Sequence, residues 1–214
     1  KEIVNHKPFI MKRKIIIYCT IFFLLPTANL YAQKCKPDFS HMDKLENKQL
    51  DYWFCNLYET SLIASSLSTS SVGIYFRIGR MDTSNFITLT LINEQQSATN
   101  SLLESSMKGA KGNEFIFGFN EGDPLKFVVS DATNETKVLS SGIIETTVTI
   151  TSNIRTEDLD KVKDVLTSKI LDVIRIKLEN GLVITQNIKE KYGNKMKDKS
   201  TCFFNFLTEK GALK

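Results

Sequence analysis

The sequence predicts an α+β fold: a mainly antiparallel β-sheet with one short inserted helix and a C-terminal amphipathic helix. Three observations lead there. Apolar residues alternate with others over strand lengths, as in Val72, Ile74, Phe76, Ile78 and again in Phe115, Phe117, Phe119. Leu159, Val162, Val165 and Leu166 fall instead at helical spacing. The order strand, strand, strand, helix, strand, strand lacks the regular alternation of a parallel α/β sheet.

Taken in order, residues 1–10 read as an upstream extension, 11–32 as a secretory signal peptide, and 33–214 as a single α+β domain. Lys12-Arg13-Lys14 supplies the charged start, Ile15 to Leu25 the apolar stretch, and Tyr31-Ala32-Gln33 the cleavage site after Ala32. The apolar stretch is short for an anchor, which needs about 20 residues. Cys19 follows Tyr18 and Cys35 follows Lys34, neither of them the small residue that precedes a lipidated cysteine. The expected address is periplasmic or extracellular, with no membrane span after cleavage.

Lys34 to Gln49 is polar and reads as irregular or briefly helical. Leu50 to Tyr58 reads as a strand, with Tyr52, Phe54 and Tyr58 opposing Trp53, Cys55 and Leu57. Tyr52, Trp53 and Tyr58 would suit an aromatic platform for a sugar or peptide, although such side chains more often pack a core. Ser61 to Ser71 is serine-rich, but Leu62, Ile63, Ala64 and Leu67 fit an edge strand or loop better than a flexible linker. Val72 to Ile78 is a strand, Gly79 to Asn85 a turn, and Ile87 to Leu91 the strand that pairs back. Asn93 to Asn113 is a longer connection with a helical turn expected at Ser101 to Met107.

Phe115, Phe117 and Phe119, then Leu125, Phe127 and Val129, make a hairpin through Asn120-Glu121-Gly122-Asp123-Pro124. Ile144, Thr146, Val148 and Ile150 give the next strand. Thr156 is placed to cap the short helix, with Glu157 and Asp158 favoured at its N-terminus. Ile174, Ile176 and Leu178 face one way and Arg175 and Lys177 the other. Asn180-Gly181 predicts a type I′ hairpin into Leu182 to Gln186, because both central residues of that turn need positive φ. Ile188, Tyr192, Met196, Phe203, Phe206 and Leu207 mark the C-terminal helix, weakened at Gly193 and ended at Gly211.

The chain carries 28 basic and 24 acidic residues; removing residues 1–32 takes away five and one, leaving 23 of each. A neutral domain has no global electrostatic reason to bind nucleic acid. Lys189, Lys191, Lys195, Lys197 and Lys199 form a local cluster that would meet an acidic envelope component or, more commonly, be a solvated helix face.

The succession Phe115-Ile116-Phe117-Gly118-Phe119-Asn120-Glu121-Gly122-Asp123, then Ile154-Arg155-Thr156-Glu157-Asp158-Leu159, then Ile174-Arg175-Ile176 before a Gly hairpin resembles a family of small uncharacterised secreted or periplasmic proteins of Gram-negative bacteria. The resemblance covers most of the chain after residue 32 and implies a β-rich core, a Thr/Ser-Glu-Asp-Leu helix start and a C-terminal helix. It brings no activity or substrate with it. Cys35, Cys55 and Cys202 follow the leader, and an oxidising compartment allows one disulfide in any of three pairings or three separate thiols. The resemblance, which puts a cysteine near each end, favours Cys35 with Cys202. Such a bridge closes most of the domain and would stabilise it by up to about 4 to 5 kcal/mol in the chain-entropy model.

No reaction centre stands out. His41 is the one histidine after the leader, and no Cys-x-x-Cys or paired-histidine spacing joins it, so neither metal nor cofactor is expected. Gly109-Ala110-Lys111-Gly112 lacks full phosphate-loop spacing and reads as a plain turn. Asp158/Asp160 and Glu121/Asp123 lie where a helix start and a turn want acidic residues anyway. No Gly-x-Ser-x-Gly elbow marks a serine nucleophile. Asn134-Glu135-Thr136 is a glycosylation sequon that a bacterium would leave unused. The expected function is an exported non-catalytic binding or structural module of the cell envelope, taking a protein, peptide or glycan on a sheet face or edge. The alternative is a small exported hydrolase using carboxylates or a cysteine.

Overall fold

The alternation of Phe115, Phe117 and Phe119 marks where two sheets meet: all three side chains are buried, and Phe117 packs edge-on against Phe76 of the other sheet at 6.1 Å. The structure, a computed structural model, describes residues 35–62, 70–96, 107–139 and 143–213. Pro37–Lys214 forms one compact unit. Its described residues build strands β1 (Phe39–Asp43), β2 (Lys48–Leu62), β3 (Ser70–Met81), β4 (Ser84–Gln96), β5 (Glu114–Phe119), β6 (Leu125–Val128), β7 (Asp131–Val138), β8 (Ile143–Ile154), β9 (Leu171–Lys177) and β10 (Val183–Asn187). Helix α1 (Leu159–Ser168) follows a 3-10 turn at Thr156–Asp158, and helix α2 (Glu190–Glu209) closes the chain.

The fold is α+β, as the patterning predicts. One sheet has six strands in the order β1-β2-β3-β4-β8-β7, the other four in the order β10-β9-β5-β6, and every pairing is antiparallel. Register explains the core. Cys55, Phe76, Leu89 and Ile150 stand opposite one another across β2, β3, β4 and β8, and all are buried. Phe115, Phe117 and Phe127 answer from the smaller sheet, with ring centroids 5.1 to 5.4 Å apart. Each such side chain contributes roughly 1.5 to 3 kcal/mol by leaving water.

Helix α2 lies against β2, β3, β9 and α1. Trp53 meets Phe203 at 5.7 Å and Phe206 at 5.3 Å, both edge-on. Gly193 lets the helix approach β9, for a Cβ there would stand 2.4 Å from the Leu171 carbonyl oxygen. The glycine that weakens the helix by propensity is thus a point of close packing. Helix α1 buries Leu159, Val162 and Leu166 of its expected stripe, while Val165 is only half-buried. Among the described residues no helix is long and apolar enough to cross a membrane.

Several local expectations need correction. Residues 39–43 form β1, not an irregular or helical stretch, because register with Lys48–Tyr52 supplies the backbone partners that its own polar sequence does not advertise. Asp131–Val138 forms edge strand β7, which lacks an apolar face and so carries no strand signal in its sequence; Glu135 and Lys137 on it pair at 3.1 Å. The β3–β4 turn shrinks to Asp82-Thr83, with Asp82 at φ 56°. Thr156 makes no capping bond; α1 starts from Asp158 without one. Only Gly181, not Asn180, has positive φ. The β9–β10 loop is therefore not type I′ but a three-residue connection closed by Leu178 N–H on the Leu182 carbonyl at 2.8 Å. In β2 a bulge between Asn56 and Tyr58 shifts the register and takes Tyr58 out of line with Tyr52 and Phe54. Residues 101–106 of the expected helical turn and most of the serine-rich stretch lie outside the described residues.

Candidate functional site

The outward half of the β2 alternation builds the most distinctive surface. Trp53, Cys55 and Leu57 point inward and are buried, so Tyr52 and Phe54 must point outward. Strand β1 places Phe39 opposite Tyr52, and the two rings stack at 4.9 Å with an 18° interplanar angle. Phe54 stands edge-on to Tyr52 at 6.4 Å. Phe39 is 40% and Phe54 51% exposed, unusual for side chains of this size.

Strand β3 supplies the next column. Arg77 is opposite Phe54 in register, and its guanidinium carbon lies 4.4 Å from the centroid of the Tyr52 ring. That is a cation–π arrangement with Tyr52 between Phe39 and Arg77. Gly79 stands opposite both Tyr52 and Phe86. A Cβ at Gly79 would lie 2.6 Å from the Tyr52 Cβ and 2.8 Å from the Phe86 Cζ, so the absence of a side chain lets the aromatic row cross β3. Further across the face, Thr88 and Thr151 hydroxyls meet at 3.0 Å and Thr90 and Thr149 at 3.3 Å. Phe54, Tyr75, Arg77, Thr90 and Ile92 border a shallow depression of about 260 Å³. Burial, with Glu59 and Glu94 nearby, pushes the Tyr75 phenol up from its ordinary range.

Two larger hollows are chemically quieter. One, about 550 Å³, lies among β6, β8 and α1, where Arg155 is engaged by Asp158 at 2.7 Å and Lys126 by Glu114 at 2.6 Å. The other, about 620 Å³, lies where Asp51 and Arg80 approach Phe206 and Lys210; buried Asp51 accepts a bond from Gln49 Nε2 at 2.9 Å.

The residues weighed for chemistry do not converge. Cys35 and Cys202 are each disulfide-bonded. Cys55 keeps a free thiol, 6% exposed, and burial pushes it up to about 12, only partly opposed by Lys199 and Lys195. A thiol so placed stays protonated at neutral pH. His41 is exposed on β1, its ring 6.1 Å from that of Phe39. Asn134 uses its side chain on Gly109, accepting from the N–H at 2.8 Å and donating to the carbonyl at 3.0 Å. With Ala110 N–H bonded to Asn113 Oδ1 and Gly112 N–H to the Val129 carbonyl, the N–H groups of Gly109, Ala110 and Gly112 are all spent inside the protein. Among the described residues no group of three His, Cys, Asp or Glu could hold a metal ion. The lysine cluster is tied down locally: Lys199 to Asp38 at 2.6 Å, Lys197 to the Ser168 carbonyl at 3.0 Å, Lys191 over the Tyr192 ring at 4.6 Å.

Of the aromatic platform expected from Tyr52, Trp53 and Tyr58, the structure keeps only Tyr52 on the open face. Trp53 is fully buried under α2 and Tyr58 is displaced by the bulge. Phe39, Phe54, Arg77 and Phe86 are the members that sequence reasoning passed over. The strand alternation already set Phe54 and Arg77 on the outward side; the missing piece was β1.

No family model matches the chain, and neither do any curated protein or any solved structure.

Proposed function

We propose that this protein is an exported, non-catalytic binding module of the Gram-negative cell envelope that takes its ligand on the outward face of the six-stranded sheet. The observation that carries the reading is the row of Phe39, Tyr52 and Arg77, flanked by half-exposed Phe54, on the outward side of β1, β2 and β3. Aromatic side chains held on a rigid sheet bind with little loss of rotamer freedom, which is why such anchors dominate recognition surfaces. Export is supported by the leader-like character of residues 11–32 and by the disulfide state of Cys35 and Cys202. Against the hydrolase alternative, the one free thiol among the described residues is buried and protonated.

The test is retention of the purified chain on immobilised envelope fractions, compared with Tyr52→Ala and Phe54→Ala. The reading expects each variant to fold and to lose at least most of the retention. Retention unchanged in both variants would refute it.

A further inference from the structure

Among the described residues nothing neutralises the cation on the outward face. Arg77 makes no hydrogen bond or ion pair among the described residues, and its Nε is shielded from solvent without an acceptor. By contrast, Arg80 donates to the Asp82 carbonyl and Arg155 is paired with Asp158. A half-buried guanidinium loses hydration that its surroundings should replace. At Arg77 the surroundings offer a ring to stack on and no acceptor. The side chain of Asn56, next but one to Phe54 along β2, is in a similar state: its Nδ2 donates to Glu59 at 2.7 Å, but its shielded Oδ1 has no partner.

Resting on the face described above, we infer that Arg77 receives the carboxylate of an acidic sugar residue in a glycan. A guanidinium held over an aromatic ring keeps its plane fixed and leaves its terminal Nη1–Nη2 edge, not the shielded Nε, to grip a planar oxyanion through two parallel bonds. The location favours a sugar over a peptide. On a sheet face the backbone N–H and C=O groups are committed to neighbouring strands, so a peptide finds no main-chain partners there, as it would at an edge. A pyranose instead offers C–H faces to Phe54 and a hydroxyl to Thr90, both of which border the depression. At about 260 Å³ the depression is of a size for a single ring.

The experiment is calorimetric titration of the purified chain with trigalacturonate, with its neutral galactose counterpart, with a tri-glutamate peptide and with inorganic phosphate, repeated for Arg77→Gln, Arg77→Lys and Tyr52→Ala. Wild type should prefer the acidic to the neutral trisaccharide by about tenfold or more, as a charge-assisted bidentate contact implies. Arg77→Gln should bring the two sugars to equal affinity, and Arg77→Lys should restore only part of the preference. Equal affinities in the wild type, a preference that survives Arg77→Gln, tighter binding of the peptide or phosphate, or no sugar binding at all would each overturn the inference. The wild-type comparison stands even if a variant fails to fold. If envelope retention still needs Tyr52 and Phe54 while Arg77→Gln changes nothing, the carboxylate assignment fails and the binding face stands. If retention survives loss of Tyr52 and Phe54, the face itself is wrong.

Discussion

Lys199 and Asp38, 161 residues apart, meet in a doubly hydrogen-bonded ion pair: Nζ lies 2.6 Å from one carboxylate oxygen and 2.8 Å from the other. The second oxygen also accepts the Phe54 N–H at 2.8 Å. One carboxylate thus ties the entry to β1, the last helix and the strand that carries the outward aromatics. With side chains 31% and 23% exposed, the charges are only partly screened. Asp38→Ala should cost about 0.5 to 1.5 kcal/mol through the lost Phe54 N–H bond and ion pair, and the coupling energy with Lys199→Met should be about 0.5 to 1 kcal/mol. Urea unfolding of the four members of the cycle measures both; a cost near zero would make the pair ornamental.

Cys55 should resist iodoacetamide at pH 8 in the folded protein and react on unfolding, as read by intact mass. Its protonation also sets a pH dependence. The folded thiol is pushed up from 9.0 to about 12, so the stability tied to it is fully present below pH 9 and drains away as pH rises towards 12. Within that window the loss from this group approaches about 1.4 kcal/mol per pH unit. Cys55→Ser should flatten that part of the profile.

Non-reducing peptide mapping should find Cys35 linked to Cys202. Reduction should then lower stability by about 2 to 5 kcal/mol. A peptide joining Cys55 to either of them would be the contrary result.

Gly193→Ala sets two effects against each other. Helix propensity gains about 1 kcal/mol. The new Cβ, however, would sit 2.4 Å from the Leu171 carbonyl oxygen, which is backbone and cannot swing aside. Packing should win, and the variant should melt below the wild type; a higher melting temperature would show that α2 can lift from β9 at little cost.

Phe117→Ala removes the ring that joins the two sheets and should cost about 3 to 5 kcal/mol. The transition should lose cooperativity or shift in midpoint, as followed by urea denaturation.

The buried strands were legible because their own side chains carry the period: Ile74, Phe76 and Ile78 read as inward, and they are. Strands β1 and β7 were not, since an edge strand draws its order from its neighbour's backbone, and neither shows an apolar row of its own. The Asn180-Gly181 turn was placed correctly but mistyped, because one left-handed glycine suffices when the loop has three residues. The outward face was half legible. Alternation gave the side on which Tyr52, Phe54 and Arg77 lie, but the stack needs Phe39 from an unread strand and the space above Gly79, which only register reveals.

Among the described residues strand β7 is an outer strand of the larger sheet, where Asp131, Glu135 and Lys137 stand among threonines and an asparagine. Those charges work as a guard: another strand docking there would have to strip water from them before gaining a single ladder bond. Replacing Glu135 and Lys137 with valine would leave the interior untouched and open the border to templated growth into fibres, a fate that the polar spelling of this strand averts.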